Sequence, residues 1–146
     1  MPHFSLTISP RGPLLQVLLG VSAPRGTALT AAGQPVPAPI PITGLIDTGA
    51  SCTSIDISLL RQLAIPETGK TTVHTPSTQA NAPHSTSVYD ISLVLVHPLT
   101  VRTFNALPVI EAHLIHQGIQ ALIGRDILSH CLFVYDGQSG NFSLSL

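Results

Sequence analysis

Short apolar segments separated by turn-forming residues run the length of the sequence, and this pattern constrains the fold more than any other feature. HFSLTIS, His3 to Ser9, alternates with period two and puts Phe4, Leu6 and Ile8 on one face. The turn Ser9-Pro10-Arg11-Gly12 follows, and the apolar run LLQVLLGV from Leu14 to Val21 completes an expected opening hairpin. Ser22 to Pro41, rich in Pro, Gly, Ala and Thr, reads as a long loop or loose hairpin. ITGLIDTG predicts a strand ending at Asp47. The clearest helical period belongs to Ile57, Leu60 and Ala64, widened by Leu59 and Leu63, with Asp56 as N-cap and Pro66 as stop.

Downstream, the polar, turn-rich stretch Thr71 to His84 precedes SVYDISLVLV and predicts a strand, a mobile tip and a return strand. Val101 to Val109 reads as a further strand, while EAHLIHQG carries no clear assignment. QALIGRDIL combines an apolar strand, a glycine and a short helix, and LFVYDGQSGNFSLSL predicts a hairpin turning around Asp136 to Gly140. Without an internal repeat or a second apolar cluster, residues 1–146 are expected to form one domain, long enough for a core without disulfides.

Composition narrows the function. Charged residues are 9% against a usual quarter or so, and the formal net charge is -1, so no basic footprint for nucleic acid exists. Aromatics at 4%, with no Trp, argue against stacking platforms for single strands. Cys52 and Cys131 define neither a disulfide framework nor a metal-type spacing and read as small core hydrophobes in a reducing compartment, with pairing between them left open by the sequence. Arg11 with PLLQVLLGVSA imitates an export signal, but Gln16 interrupts the run and Pro24 follows the cut site, so a buried strand is preferred. The expected setting is therefore cytoplasmic, with no membrane partner, since no apolar run reaches about 18 residues.

Against this background Asp47 stands out. A carboxylate after Leu45-Ile46, at the end of a buried strand, is costly to desolvate unless partners or a function compensate. The stretch Leu45-Ile46-Asp47-Thr48-Gly49-Ala50-Ser51 resembles the active-site turn of aspartic proteases, and Leu122-Ile123-Gly124-Arg125-Asp126 resembles their later segment of two aliphatics and a glycine leading into a helix. Both, in this order and with a flap-like segment between them, are similar to the retropepsin-like group of single-domain aspartic proteases.

That resemblance implies an all-β fold, a closed acid-protease barrel with one or two short helices and one lobe per chain. It implies that Asp47 is catalytic, that Thr48, Gly49, Leu122, Ile123 and Gly124 support the catalytic turn, and that Gly49, Ala50, Ser51, His74, Thr75 and Pro76 meet the substrate. No metal or other cofactor is implied. Asp56, Asp90 and Asp126 each precede Ile, and Asp136 lies in Asp-Gly-Gln, so Asp47 alone sits in an Asp-Thr-Gly setting. One such turn per chain implies a homodimer acting on a peptide or protein substrate, with Phe4, Leu6, Phe142 and Leu144 as candidate interface residues. In the family the arginine matching Arg125 commonly pairs with an acid two residues after the turn glycine. Ser51 stands there, which leaves Asp56 as a candidate partner. The segment Thr75 to His84 also departs from glycine-rich retroviral flaps, since it holds Pro76 and Pro83 and no glycine.

Other readings are weaker. Ala50 replaces the hydroxyl residue that the phosphate loop of actin-like ATPases requires, and the chain holds no Walker loop. His113 and His116 could share a helix face, but without a third nearby ligand they read as solvated or capping groups. His74 and His84 flank the expected flap tip, and Cys52 lies near the catalytic turn as a buried structural thiol. The rival function is a non-catalytic dimerisation or peptide-binding module on the same fold. A metal-dependent hydrolase using the histidines is a third.

Overall fold

A computed structural model describes residues 2–74 and 84–146. In chain order the elements are β1 (His3–Thr7), β2 (Leu14–Val21), α1 (Ala23–Ala31), β3 (Ile40–Ile46), β4 (Ser54–Asp56), α2 (Ile57–Gln62) and β5 (Glu67–Val73). They continue with β6 (His84–His97), β7 (Thr100–Ala112), a 3-10 turn at Ile115–Gln117, β8 (Ala121–Ile123), α3 (Arg125–Leu128), β9 (Leu132–Asp136) and β10 (Asn141–Ser145).

The main sheet closes on itself. Its order is β2-β3-β8-β4-β7-β6, and β6 pairs back onto β2 from Leu18↔Val94 to Val21↔Ile91, giving a six-stranded barrel. Closure removes the unpaired edges that an open sheet would present. β5 pairs antiparallel with the first part of β6, from Glu67↔Tyr89 to Val73↔His84. β3–β8 and β4–β7 pair in parallel and the other barrel pairs are antiparallel. A separate three-stranded antiparallel sheet, β1-β10-β9, lies against the barrel core.

Period-two burial explains which faces point inward. Leu15, Val17 and Leu19 alternate into the core from β2, and Ile91, Leu93 and Leu95 do so from β6. Phe142 and Leu144 of β10 join the same core, and Phe133 packs against it. Each such side chain contributes about 1.5–3 kcal/mol of burial.

Three expectations change. The N-terminal strands do not form a hairpin. Ser9 and Gly12 exchange backbone hydrogen bonds of 3.0 and 2.9 Å, but β1 then pairs with β10 and β2 with β3 and β6. The Ser22 to Pro41 stretch is not all loop, because its first half is α1. Ser22 Oγ accepts from Arg25 N–H at 3.3 Å, and Pro24 occupies the first turn, where its missing N–H costs nothing. Finally, Phe142 and Leu144 are 2% and 0% exposed in the chain's own core and Phe4 packs against it, so of the four candidate interface residues only Leu6 is exposed.

Candidate active site

Asp47 follows directly after β3, whose parallel pairing with β8 sets Leu45 beside Leu122 and Ile46 beside Ile123. The Asp47 N–H donates to the Ile123 carbonyl at 3.0 Å, and the Ala50 N–H closes a turn onto the Asp47 carbonyl at 3.2 Å. Inside that turn Asp47 Oδ1 accepts the Gly49 N–H at 2.9 Å. A Cβ on Gly49 would lie 3.2 Å from the same oxygen, so a side chain there would press on the carboxylate.

Gly124 is required for a different reason. A Cβ at that position would lie 2.6 Å from the Cys52 carbonyl carbon and oxygen, because the loop after Asp47 passes directly over it. Three links hold this crossing. The Arg125 N–H donates to the Ala50 carbonyl at 2.9 Å. Thr53, fully buried, accepts the Gly124 N–H on its hydroxyl at 3.1 Å and donates that hydroxyl to Asp126 Oδ1 at 2.8 Å. Asp126 Oδ2 in turn accepts the Thr53 N–H at 2.9 Å. The turn that carries Asp47 is thus clamped to the start of α3, and Asp126 is occupied in the clamp.

Arg125 does not pair with Asp56. Its Nη1 donates to the Thr48 carbonyl at 2.9 Å. Asp56 is 4% exposed and accepts from Ser58 N–H and Oγ and from the N–H groups of Leu114 and Ile115, at 2.6 to 2.9 Å. Burial alone would raise its pKa, but the Ser58 hydroxyl and these three N–H groups outweigh it and hold the carboxyl down at about 2.

These elements enclose a cleft of about 570 Å³. Asp47, Gly49, Ala50 and Ser51 line it, as does His74 from the end of β5, so the residues expected to meet the substrate converge. Thr75 and Pro76 lie outside the described residues. Leu122 borders the cleft itself, whereas Ile123 is fully buried behind the turn. Cys52, Ser54, Val73, Ile110 and Arg125 also line the cleft, and sequence reasoning did not assign them to it. Alternation along β5 and β7 is the one signal that bears on Val73 and Ile110, and it does not say which barrel end a residue occupies. Burial, followed by the nearby Asp126 charge, raises the Cys52 thiol above its usual range and leaves little thiolate.

Among the described residues no three His, Cys, Asp or Glu side chains are grouped to hold a metal ion, and His113 and His116 are both exposed. No helix among them is long and apolar enough to cross a membrane. Chemically, the arrangement presents a half-buried carboxylate, clamped from behind, to an open cleft with apolar walls.

A sequence model of the family described as aspartyl protease matches residues 29–127, a span that includes both the Asp47 turn and Gly124. No curated protein sequence matches the chain. Among solved structures, the chain is similar to a retropepsin-like aspartic protease from Rickettsia conorii, with a TM-score of 0.56 at 15% identity, over 97% of this chain and 89% of that one. At that identity the likeness speaks for the fold.

Proposed function

The chain belongs to the aspartyl protease family, and from that premise we propose that it is an aspartic endopeptidase, residues 1–146 forming one lobe and two chains forming the active enzyme. The observation that carries this reading is Asp47: a carboxylate at a strand end, its turn clamped to Gly124, facing a cleft of about 570 Å³. Asp47 is the single aspartate of the sequence in an Asp-Thr-Gly turn, so the second carboxylate comes from a second chain.

Two facing carboxylates share one proton, as is established for aspartic proteases generally, and titrate as a pair. The ionised member takes a proton from water while the protonated member donates to the scissile carbonyl oxygen. Water's oxygen bonds to the carbonyl carbon, giving a gem-diol. Collapse then breaks the C–N bond as the departing nitrogen receives a proton. Gly49, Ala50 and Ser51 offer backbone to an extended peptide. His74 meets it from beside the end of β5, and Thr75 and Pro76, next in sequence, are proposed as further substrate contacts. Thr48, Gly49, Leu122, Ile123 and Gly124 support the turn. A cytoplasmic setting belongs to the same reading, supported by two unpaired cysteines, Cys52 and Cys131.

The test is mass-spectrometric detection of cleavage in a peptide library from acidic to neutral pH, comparing the wild type with Asp47→Asn. The expected result is cleavage by the wild type and its loss, by at least about a thousandfold, in a folded Asp47→Asn chain. Cleavage that survives the substitution would assign the chemistry elsewhere. Silence from both proteins at a concentration where they dimerise would favour a binding module.

A further inference from the structure

Arg125 opens α3 and lines the same cleft as Asp47. Its guanidinium is exposed and, among the described residues, has one hydrogen bond, from Nη1 to the Thr48 carbonyl at 2.9 Å. A guanidinium carries five N–H donors, so most of this one remains available. Among the described residues the ion pair present joins Lys70 to Glu67 and does not involve Arg125. Neighbouring carboxylates have other partners: Asp126 holds Thr53, and Asp56 holds Ser58, Leu114 and Ile115. A chain with 9% charged residues therefore sets a strong cation, with no salt bridge among the described residues, in a cleft that it shares with Asp47 and whose walls include Val73, Ile110 and Leu122. Arginine's planar fork matches a carboxylate in two parallel hydrogen bonds, and apolar walls beside it weaken competition from water.

We propose that Arg125 is a specificity-determining residue that binds a carboxylate of the peptide, so that the cleft selects peptides carrying an acidic group close to an apolar side chain. This rests on the peptidase reading and names its substrate class. The carboxylate sits at the Arg125 end, because Asp47 repels a second negative charge beside itself. Either an Asp or Glu side chain or a free C-terminus supplies the same chemistry.

The experiment uses the full chain with Asp47→Asn to capture peptides from a random library with amidated C-termini, enrichment being read by mass spectrometry. Binding is measured whether or not the chain cleaves, so this test and the cleavage test fail separately. The expected result is enrichment of Asp and Glu over Asn and Gln by about five- to tenfold, beside an enriched apolar position. Adding Arg125→Gln, which removes the charge and the fork, abolishes the acidic enrichment and leaves the apolar one. Arg125→Lys, which keeps the charge without the fork, weakens the acidic enrichment, and Arg125→Glu reverses it toward Lys and Arg. A parallel library with free C-termini separates the sources: preference for the free acid, lost in Arg125→Gln, assigns the site to a terminal carboxylate. Should Arg125→Gln not fold, salt decides, since the enrichment collapses near 1 M salt if an ion pair carries it. The proposal is overturned by capture without acidic or free-acid preference, by no capture at all, or by a preference that survives Arg125→Gln or high salt. Wild-type cleavage without such a preference would leave the peptidase reading standing and this inference rejected.

Discussion

Asp56 and Asp47 are treated in opposite ways by their surroundings. Four donors converge on Asp56, and the carboxyl is held down at about 2. Because the folded value lies below the unfolded one, the stabilisation is complete above about pH 4 and is lost as pH falls from there through 2. The shift corresponds to about 2 kcal/mol. Urea unfolding measured between pH 5 and pH 2 is expected to lose that amount more in the wild type than in Asp56→Asn. The variant is less stable at pH 7 by about 2–4 kcal/mol, because its amide brings N–H donors toward N–H groups that had an anion. Equal acid sensitivity in the two proteins would overturn the assignment. Asp47 is half-buried, accepts among the described residues from the Gly49 N–H, and lines the cleft. The cap role of Asp56 was legible in the sequence, since Asp before an apolar helical period has a local signature. Its bonds to Leu114 and Ile115 were not, because nothing in a local pattern reports a partner 58 residues away. Asp56, one candidate partner for Arg125, is not the one it finds, and the Thr48 carbonyl 77 residues away was illegible for the same reason.

At the scale of elements, α1 is the feature that sequence periodicity missed. Its stop signal is plain in hindsight. Gly33, at φ 69°, donates its N–H to the Thr30 carbonyl, and Gln34 donates to Leu29, which closes the helix end with a left-handed residue. Gly26 and Pro24 lower the helical propensity of the stretch, and only Leu29 is buried, so no apolar stripe announced it. Two substitutions of opposite sign follow from the geometry. Ser22→Ala removes the cap and is expected to cost about 1 kcal/mol. Gly26→Ala is expected to add about 0.5–1 kcal/mol, since its new methyl would make ordinary contacts of 3.8 and 4.0 Å with Val36 and Val21. Urea midpoints for the two variants check both signs, and a destabilised Gly26→Ala would contradict the packing around α1. The strands at the site were easier to read, because Leu45-Ile46 leads into the Asp-Thr-Gly turn and β8 is a short apolar run ended by Gly124. The Thr53–Asp126 clamp was illegible, since it joins two elements by side chains with no shared sequence pattern.

For the molecule as a whole, closure of β6 onto β2 completes the barrel within one chain, whereas the carboxylate pair proposed for catalysis takes one Asp47 turn from each of two chains. Folding and catalysis therefore place different demands on a second copy. The core is supplied internally, Phe142 and Leu144 included, so an isolated lobe has its apolar interior without help. On the proposed reading, a partner supplies the second carboxylate. This separates two quantities that coincide in obligate dimers: unfolding measured by urea at micromolar protein is expected to depend weakly on concentration, whereas specific activity falls steeply on dilution. Mixing sharpens the point. Wild type exchanged with an equal amount of Asp47→Asn forms hybrids that hold one aspartate each, and random pairing leaves about a quarter of the dimers with two. Activity per wild-type chain is then expected to fall by about half, and further as the variant is added in excess. A chain that hydrolyses peptides alone would keep its activity at every mixing ratio. That outcome would reject the shared active site while leaving the assignment of Asp47 itself to the substitution test.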